Sequence, residues 1–192
     1  MSGLNSAANR PGRPRDEHVN SVVLAATREL VTRLGYDRVT TQMIANTAGI
    51  GKQTIYRRWS GKAELVLEAL TSLAQERIDD ALPSGPLARR LCAFLQLTFE
   101  ALQQTGSAVR SLMATAQRDA AFREQFKARF IEPRRRALRR VLVEGDRHLS
   151  PANADAAVIA LFGALWYRLL LDETLDAAFA RRLVALVLDG LH

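Results

Sequence analysis

Between Gly51 and Lys62 the chain gathers side chains suited to meeting a polyanion. In Lys52-Gln53-Thr54-Ile55-Tyr56-Arg57-Arg58-Trp59, Ile55 and Trp59 stand four apart and form the inward stripe of a helix. That stripe turns Lys52, Gln53, Thr54, Tyr56, Arg57 and Arg58 toward the outer surface. Cations neutralise phosphates, and an amide, a hydroxyl or a guanidinium can also read donors and acceptors on base edges in a major groove. No carboxylate interrupts this face. A basic helix face is also a common solvated surface, so the elements that hold it must decide between the two readings.

The stretch just before it supplies a partner helix. Thr40 can cap, and Ile44, Ala45 and Ala48 make a narrow apolar stripe; Ala48-Gly49-Ile50-Gly51 is too tight and Gly-rich to continue one helix. The pattern is helix, turn, helix. Upstream, Val19, Val22, Val23, Ala26, Leu30 and Leu34 follow helical spacing from Asp16 to Leu34, with Asp16 and Glu17 at the positive end and Gly35 as the stop. Tyr36 is expected as a core plug, and so is Trp59.

Thr40-Thr41 before Ile44-Ala45, then Ala48-Gly49-Ile50, Ile55-Tyr56-Arg57-Arg58-Trp59 and Ser60-Gly61-Lys62-Ala63-Glu64-Leu65, resemble the DNA-binding signature of TetR-type transcriptional regulators. The match spans residues 18–66. It implies an all-α fold: a three-helix helix-turn-helix head at the N-terminus and a helical ligand-binding and dimerisation bundle behind it. Function would be sequence-specific DNA binding, with repression relieved by a small molecule. By this resemblance Thr41 touches phosphate, with Gln42 beside it. Lys52, Gln53 and Thr54 open the recognition helix, and Tyr56 and Lys62 anchor phosphates. Arg57 serves guanine or backbone, and Arg58 serves phosphate or solvent.

Residues 1–15 read as a flexible basic arm. Arg10-Pro11-Gly12-Arg13-Pro14-Arg15 is either a minor-groove hook built on Arg10, Arg13 and Arg15 or a solubilising tail. The head then covers 16–62 and the body 63–192, joined by a long helix over 61–82 that Pro83-Ser84-Gly85-Pro86 ends. The body is expected to hold one helix over Leu87–Gln104 and a second around Val109–Arg118, separated by Gly106. A Phe122, Phe126, Phe130 stripe follows, interrupted by Pro133. Arg134, Arg135, Arg136, Arg139 and Arg140 are expected as a solvated face, with Glu132 and Glu144 four residues from Arg136 and Arg140.

The pocket for a hydrophobic effector is assigned to Phe94, Met113, Gln117, Phe126, Trp166 and Tyr167. The last two helices, starting at Ser150-Pro151 and near Ala177, carry more apolar surface than one core needs. A homodimer is therefore expected through Leu161, Ala164, Leu165, Arg168, Phe179, Leu183, Leu186 and Val187, which suits a palindromic operator.

Composition bounds the alternatives. The 192 residues are 48% hydrophobic but only 6% aromatic, and 27 basic against 20 acidic residues give +7. Ten basic and six acidic residues fall in 1–70, so the charge is denser in the head. His18, His148 and His192 are scattered without metal-ligand spacing, no catalytic arrangement stands out, and neither enzyme activity, cofactor nor metal is expected. Gly51-Lys52 lacks the rest of a phosphate-binding loop. Lone Cys92 reads as a buried thiol. Without a secretory signal or an uninterrupted spanning segment, a cytoplasmic location and no membrane are expected; Trp166-Tyr167-Arg168 breaks the longest apolar run. The competing class is an all-α ligand-binding or scaffold protein without specific DNA recognition.

Overall fold

The computed structural model describes residues 13–72, 82–146 and 148–191, with side chains from Glu17 onward. Among them every regular element is a helix: α1 (Arg13–Leu34), α2 (Thr41–Thr47), α3 (Lys52–Tyr56), α4 (Lys62–Thr71), α5 (Leu87–Arg118), α6 (Ala120–Phe126), a π-helical turn (Lys127–Ile131), α7 (Glu132–Gly145), α8 (Pro151–Leu170) and α9 (Ala177–Asp189). Helix α1 begins at Arg13, so Arg13 and Arg15 belong to its first turn rather than to an extended arm. Pro14 permits this, because a first-turn residue has no intrahelical N–H bond to lose. Arg10 lies outside the described residues, as does the stretch of the expected 61–82 helix beyond Ser72, where α4 is capped.

The head closes on a small apolar centre. Val23, Leu30, Ile44, Ala45, Ile55, Trp59 and Leu65 are buried, and α1 packs chiefly on α4. Thr40 caps α2 by accepting from the Met43 amide at 3.2 Å. Beyond α2, Ile50 N donates to Ala45 O and Gly49 N to Asn46 O, a pair of bonds that closes the helix end. That closure needs a left-handed residue, and Gly49 supplies it at φ 65°. The turn thereby fixes α3 at one angle to α2.

The body is organised on α5, a continuous helix of 32 residues. Gly106 does not divide it as the sequence suggested. It is buried inside α5, where a Cβ would lie 3.0 Å from Leu169 Cδ1, so the glycine admits α8 closely instead of breaking the helix. Phe94 meets Phe162 edge-on at 6.4 Å, tying α5 to α8, and Phe99 stacks on Phe179 at 6.0 Å, tying α5 to α9. Each such buried ring contributes about 1.5–3 kcal/mol relative to an exposed one. Pro133 does not interrupt the helical run: it stands in the first turn of α7, directly after the π turn, and the helix continues through it. The Trp166-Tyr167-Arg168 segment likewise does not interrupt α8. By length and composition alone α8 could cross a membrane, yet its Leu161, Leu165 and Leu169 are core residues here.

The arginine face of α7 departs from expectation. Glu144 accepts from Arg90 of α5 at 2.8 Å, Glu132 pairs with Arg135 at 3.6 Å, and Arg139 reaches Asp155 of α8 at 2.8 Å. Most of these pairs stitch helices together rather than run along one. Arg134 is not a solvated residue: its guanidinium lies 3.6 Å over the Phe130 ring, and Nη1 donates to Phe130 O at 2.8 Å.

Candidate functional site

The outer face of α3 carries Lys52, Gln53, Tyr56 and Arg57, all exposed, with Thr54 half-buried between them. Ile55, 0% exposed, and Trp59, 2%, point inward as their spacing requires. Tyr56 is half in solvent, and its hydroxyl meets Thr41 Oγ1 at 3.0 Å. This bond clasps the second helix of the motif to the start of the first. Lys52 Nζ sits 5.5 Å from the Tyr56 ring centre, close enough for a weak cation–π contact that steers the ammonium along the same face. Gln42 is exposed on α2 and donates to Asn46 Oδ1 at 2.9 Å. The arrangement offers an ammonium, a guanidinium, an amide and the Tyr56 hydroxyl on an exposed surface free of carboxylate among the described residues, with the Thr41 hydroxyl buried behind it, a donor set for phosphates and base edges.

Two residues expected on that face are engaged elsewhere. Arg58 Nη1 donates to Asn20 Oδ1 of α1, so Arg58 ties the recognition helix to the first helix. Periodicity alone had placed it outward, but residue 58 lies past the end of the short α3, where the chain turns back toward α1. Lys62 donates to Tyr36 O at 3.0 Å, and its Nζ sits 4.1 Å from the Tyr36 ring centre. Burial lowers the Lys62 pKa. Tyr36 is the plug that the sequence suggested: burial raises its phenol pKa, and the hydrogen bond to Thr115 of α5 works against that rise.

A chain of polar contacts leads from this face into the body. Trp59 Nε1 donates to Glu68 Oε2 at 3.2 Å, and Arg129 Nη2, on the π turn, donates to the same oxygen at 3.0 Å. One carboxylate oxygen thus joins the end of the recognition segment to the body. Nearby, Glu64 Oε2 accepts from both the amide and the hydroxyl of Ser60 at 2.7 Å, and these bonds hold the Glu64 carboxyl below the usual range.

The body holds a half-open groove of about 220 Å³ lined by Ile131, Arg134, Arg135, Val158, Ile159, Phe162, Gly163 and Trp166. It lies between the π turn with α7 on one side and α8 on the other.

Residues 23–69 match the family described as bacterial regulatory proteins, tetR family, and residues 82–187 match the tetracyclin repressor-like C-terminal domain. The chain is 32% identical over 181 residues to the DNA-binding transcriptional repressor TetR of Mycobacteroides abscessus, covering 88% of this chain and 92% of that one. The chain belongs to the TetR family. It is 28% identical over 189 residues to the HTH-type transcriptional regulator YdeS of Bacillus subtilis, across 96% and 95% of the two chains. The TetR family transcription regulator SCO0332 superposes with a TM-score of 0.73 at 26% identity over 91% of this chain and 99% of that one. The Bacillus subtilis FadR structure, at 17% identity and TM-score 0.67 over 90% and 99%, shares the fold. This protein is accordingly a TetR-family DNA-binding transcriptional regulator.

Within the TetR body the residues assigned to a pocket from the sequence are mostly not those that line the groove. Of Phe94, Met113, Gln117, Phe126, Trp166 and Tyr167, Trp166 alone lines the groove. Phe94 is 0% exposed in the core, Phe126 stacks between Phe122 and Phe130, Met113 packs on the core, Gln117 is exposed, and Tyr167 is 64% exposed. The groove residues missed were Ile131, Val158, Ile159, Phe162, Gly163 and the two arginines. Their signal was the GxxW spacing of Gly163 and Trp166 facing a Phe130–Arg134 pair one turn apart.

The expected dimer set is also rotated. Leu161, Leu165 and Leu183 are buried in this chain's own core, and Ala164 and Val187 are half-buried. Phe179 stacks on Phe99, while Arg168 pairs with Glu173 at 3.0 Å and lies over the Phe179 ring. Leu186, at 71% exposed, is the expected residue that does face outward. On α8, Ile159, Gly163, Tyr167 and Leu170 recur at helical spacing and are all exposed. Cys92 is half-buried, and burial raises its thiol pKa.

Proposed function

We propose that this regulator is a cytoplasmic homodimeric repressor that reads a palindromic operator with α3 and leaves it when a small molecule enters the body. The observation that carries the reading is the exposed, carboxylate-free face of Lys52, Gln53, Tyr56 and Arg57 on a helix fixed by the Gly49 turn. Lys52 and Gln53, at the N-terminal end of α3, meet base edges; Thr41 and Tyr56 meet phosphate; Arg57 serves a guanine or the backbone. Affinity comes mostly from phosphates and selectivity from the few base contacts. Gln42 and Thr54 lie at the margin of the same surface.

Two copies are joined through the outward stripe of Ile159, Gly163, Tyr167 and Leu170 on α8, with Leu186 of α9, forming a four-helix contact. Such a pair presents its recognition helices to successive major grooves about 34–36 Å apart. The effector favours a body conformation whose heads are wrongly spaced, so its binding lowers DNA affinity by linkage. The Glu68 junction between Trp59 and Arg129 is the route by which the body bears on the head. FadR, whose fold this chain shares, was solved in complex with stearoyl-CoA, so this architecture can hold a bound small molecule.

The test is selection from random duplex DNA followed by fluorescence anisotropy with the enriched sequence. Tight binding with a steep salt slope and an inverted-repeat motif is expected. Equal affinity for every sequence would leave the scaffold reading in its place.

A further inference from the structure

The groove between α7 and α8 has an unusual charge arrangement. Its floor is apolar and aromatic, built by Ile131, Val158, Phe162 and Trp166, with Phe162 and Trp166 stacked at 6.2 Å. Arg134 lines it, half-buried, with its guanidinium carbon 3.6 Å from the Phe130 ring centre and one N–H bonded to the Phe130 carbonyl. Its neighbours are neutralised: Arg135 by Glu132, Arg139 by Asp155. No carboxylate among the described residues pairs with Arg134. Withdrawal from water pulls its pKa down to about 10, so at neutral pH it still carries its charge.

A cation held in apolar surroundings without a counterion is costly, and the cost falls when an anion arrives with matching geometry. The guanidinium is suited to that role. One N–H is committed to Phe130, the π-face is covered, and the remaining donors form a planar fork that fits a carboxylate in a bidentate way. Stacking on Phe130 removes rotamer freedom before binding, so little further ordering is needed. The volume of about 220 Å³ lies below the ~300–1,000 Å³ of sites for drug-sized ligands, which favours a short tail over a bulky polycycle.

We propose that this groove binds a small amphipathic carboxylate, its head seated on Arg134 and its apolar tail against Val158, Phe162 and Trp166. The effector is thus a singly charged anion with a hydrocarbon or aromatic tail, which adds a head group to the hydrophobic effector expected from the sequence. This rests on the effector reading above and names the chemistry of its ligand. The groove borders the π turn, whose Ile131 lines it and whose Arg129 holds Glu68, so an occupant presses on the segment bonded to the head.

The experiment titrates the full chain with octanoate and, separately, with octan-1-ol, which keeps the tail and removes the charge. Trp166 fluorescence and the thermal midpoint are followed, since a ligand bound by the folded protein raises its midpoint. Octanoate is expected to bind at least about tenfold more tightly than octanol, the size of one charge-assisted contact. Arg134→Met should abolish that preference while leaving octanol binding, and Arg134→Lys should keep part of it, which separates lost charge from a damaged fold. Equal affinity for the two probes, or an octanoate preference that survives Arg134→Met, overturns the proposal. So does the absence of octanoate binding in the wild type together with its appearance in a Leu170→Glu variant that sediments as a monomer, because a second copy then fills the groove; Leu170 is exposed on the same stripe but does not line the groove. DNA binding is measured alongside: operator binding without octanoate preference removes the ligand class and keeps the regulator, whereas octanoate preference without DNA binding does the reverse.

Discussion

The head and the body of this protein present arginines to opposite ends. On α3, Arg57 is exposed on a surface with no acid. On α7, Arg135 and Arg139 are tied to Glu132 and Asp155, and Arg134 is folded over Phe130. Both stretches read as basic helix faces, yet only the first keeps its donors for a partner as large as a duplex. A run of cations says little by itself; the carboxylates and rings brought within reach by the fold decide what it can do. In the head most of those neighbours are local, so the face survives folding apart from Arg58 and Lys62, which Asn20 and Tyr36 hold. In the body they come from α7 itself, from α8 and from the π turn.

The largest effect that should separate the two regions is on DNA affinity. Arg57→Ala is expected to weaken operator binding by about 1–3 kcal/mol and to lower the salt slope, with little change in the melting temperature. Arg139→Ala should leave affinity within about twofold, since an exposed pair contributes at most ~1 kcal/mol and touches no DNA in the proposed mode. Anisotropy titrations at several salt concentrations check both. If Arg139→Ala weakened binding as much as Arg57→Ala, the distinction between the faces would collapse.

Body substitutions should show the converse. A Cβ at residue 145 would lie 2.6 Å from Leu87 Cδ1 and 3.0 Å from its Cβ, at the junction of α7 with the start of α5. Gly145→Ala is expected to cost about 1–3 kcal/mol of stability, the range for an overpacked contact. DNA affinity of the folded fraction should not change. Urea unfolding read with anisotropy decides this.

Glu68 sits on the boundary, so it should move both quantities. Glu68→Gln weakens the bond from Arg129 and keeps an acceptor for Trp59. A loss of about 1 kcal/mol is expected, discounted because both side chains of the ion pair are about one-third exposed. The response of DNA binding to the effector should fall more than DNA binding itself. Unchanged response would show that the body reaches the head by another path.

The smallest effect concerns acid. The Glu64 carboxyl is held below 4.5 by its two bonds from Ser60, so its folded-state pKa is depressed. The stabilisation is complete above the unfolded value and fades as pH falls through the folded one. Glu64→Gln should flatten that acid limb of the stability curve by less than about 1 kcal/mol, while stability near neutral pH falls by a similar small amount.

The head was legible because its determinants are close in sequence. Gly49, Ile55, Trp59 and Tyr36 each occupy the place that spacing gave them, and the family signature fixed their order. Arg58 was missed since its partner, Asn20, is 38 positions away. The body was legible as helices but not as surfaces. Helix α8 is apolar around much of its girth, so periodicity could not say which side meets α5 and which faces out. Leu161 and Leu165 were placed outward on that account, and Ile159 and Leu170 were overlooked. Gly106 misled for a related reason: a glycine looks the same in sequence whether it ends a helix or lets another helix approach. Here Leu169 makes the difference, and it lies 63 positions further along the chain.

The π turn from Lys127 to Ile131 holds one residue more than an α-helical turn would in the same space. Each residue of an α-helix advances the azimuth by about 100°. Excising one residue there would therefore swing everything after it by roughly that angle until the next loop absorbs it, carrying Arg134 off the groove and leaving α7 to show a different side to α8. The bulge works as a stored index, and a single-residue deletion, read by the same octanoate titration, should erase the carboxylate preference as surely as removing the guanidinium.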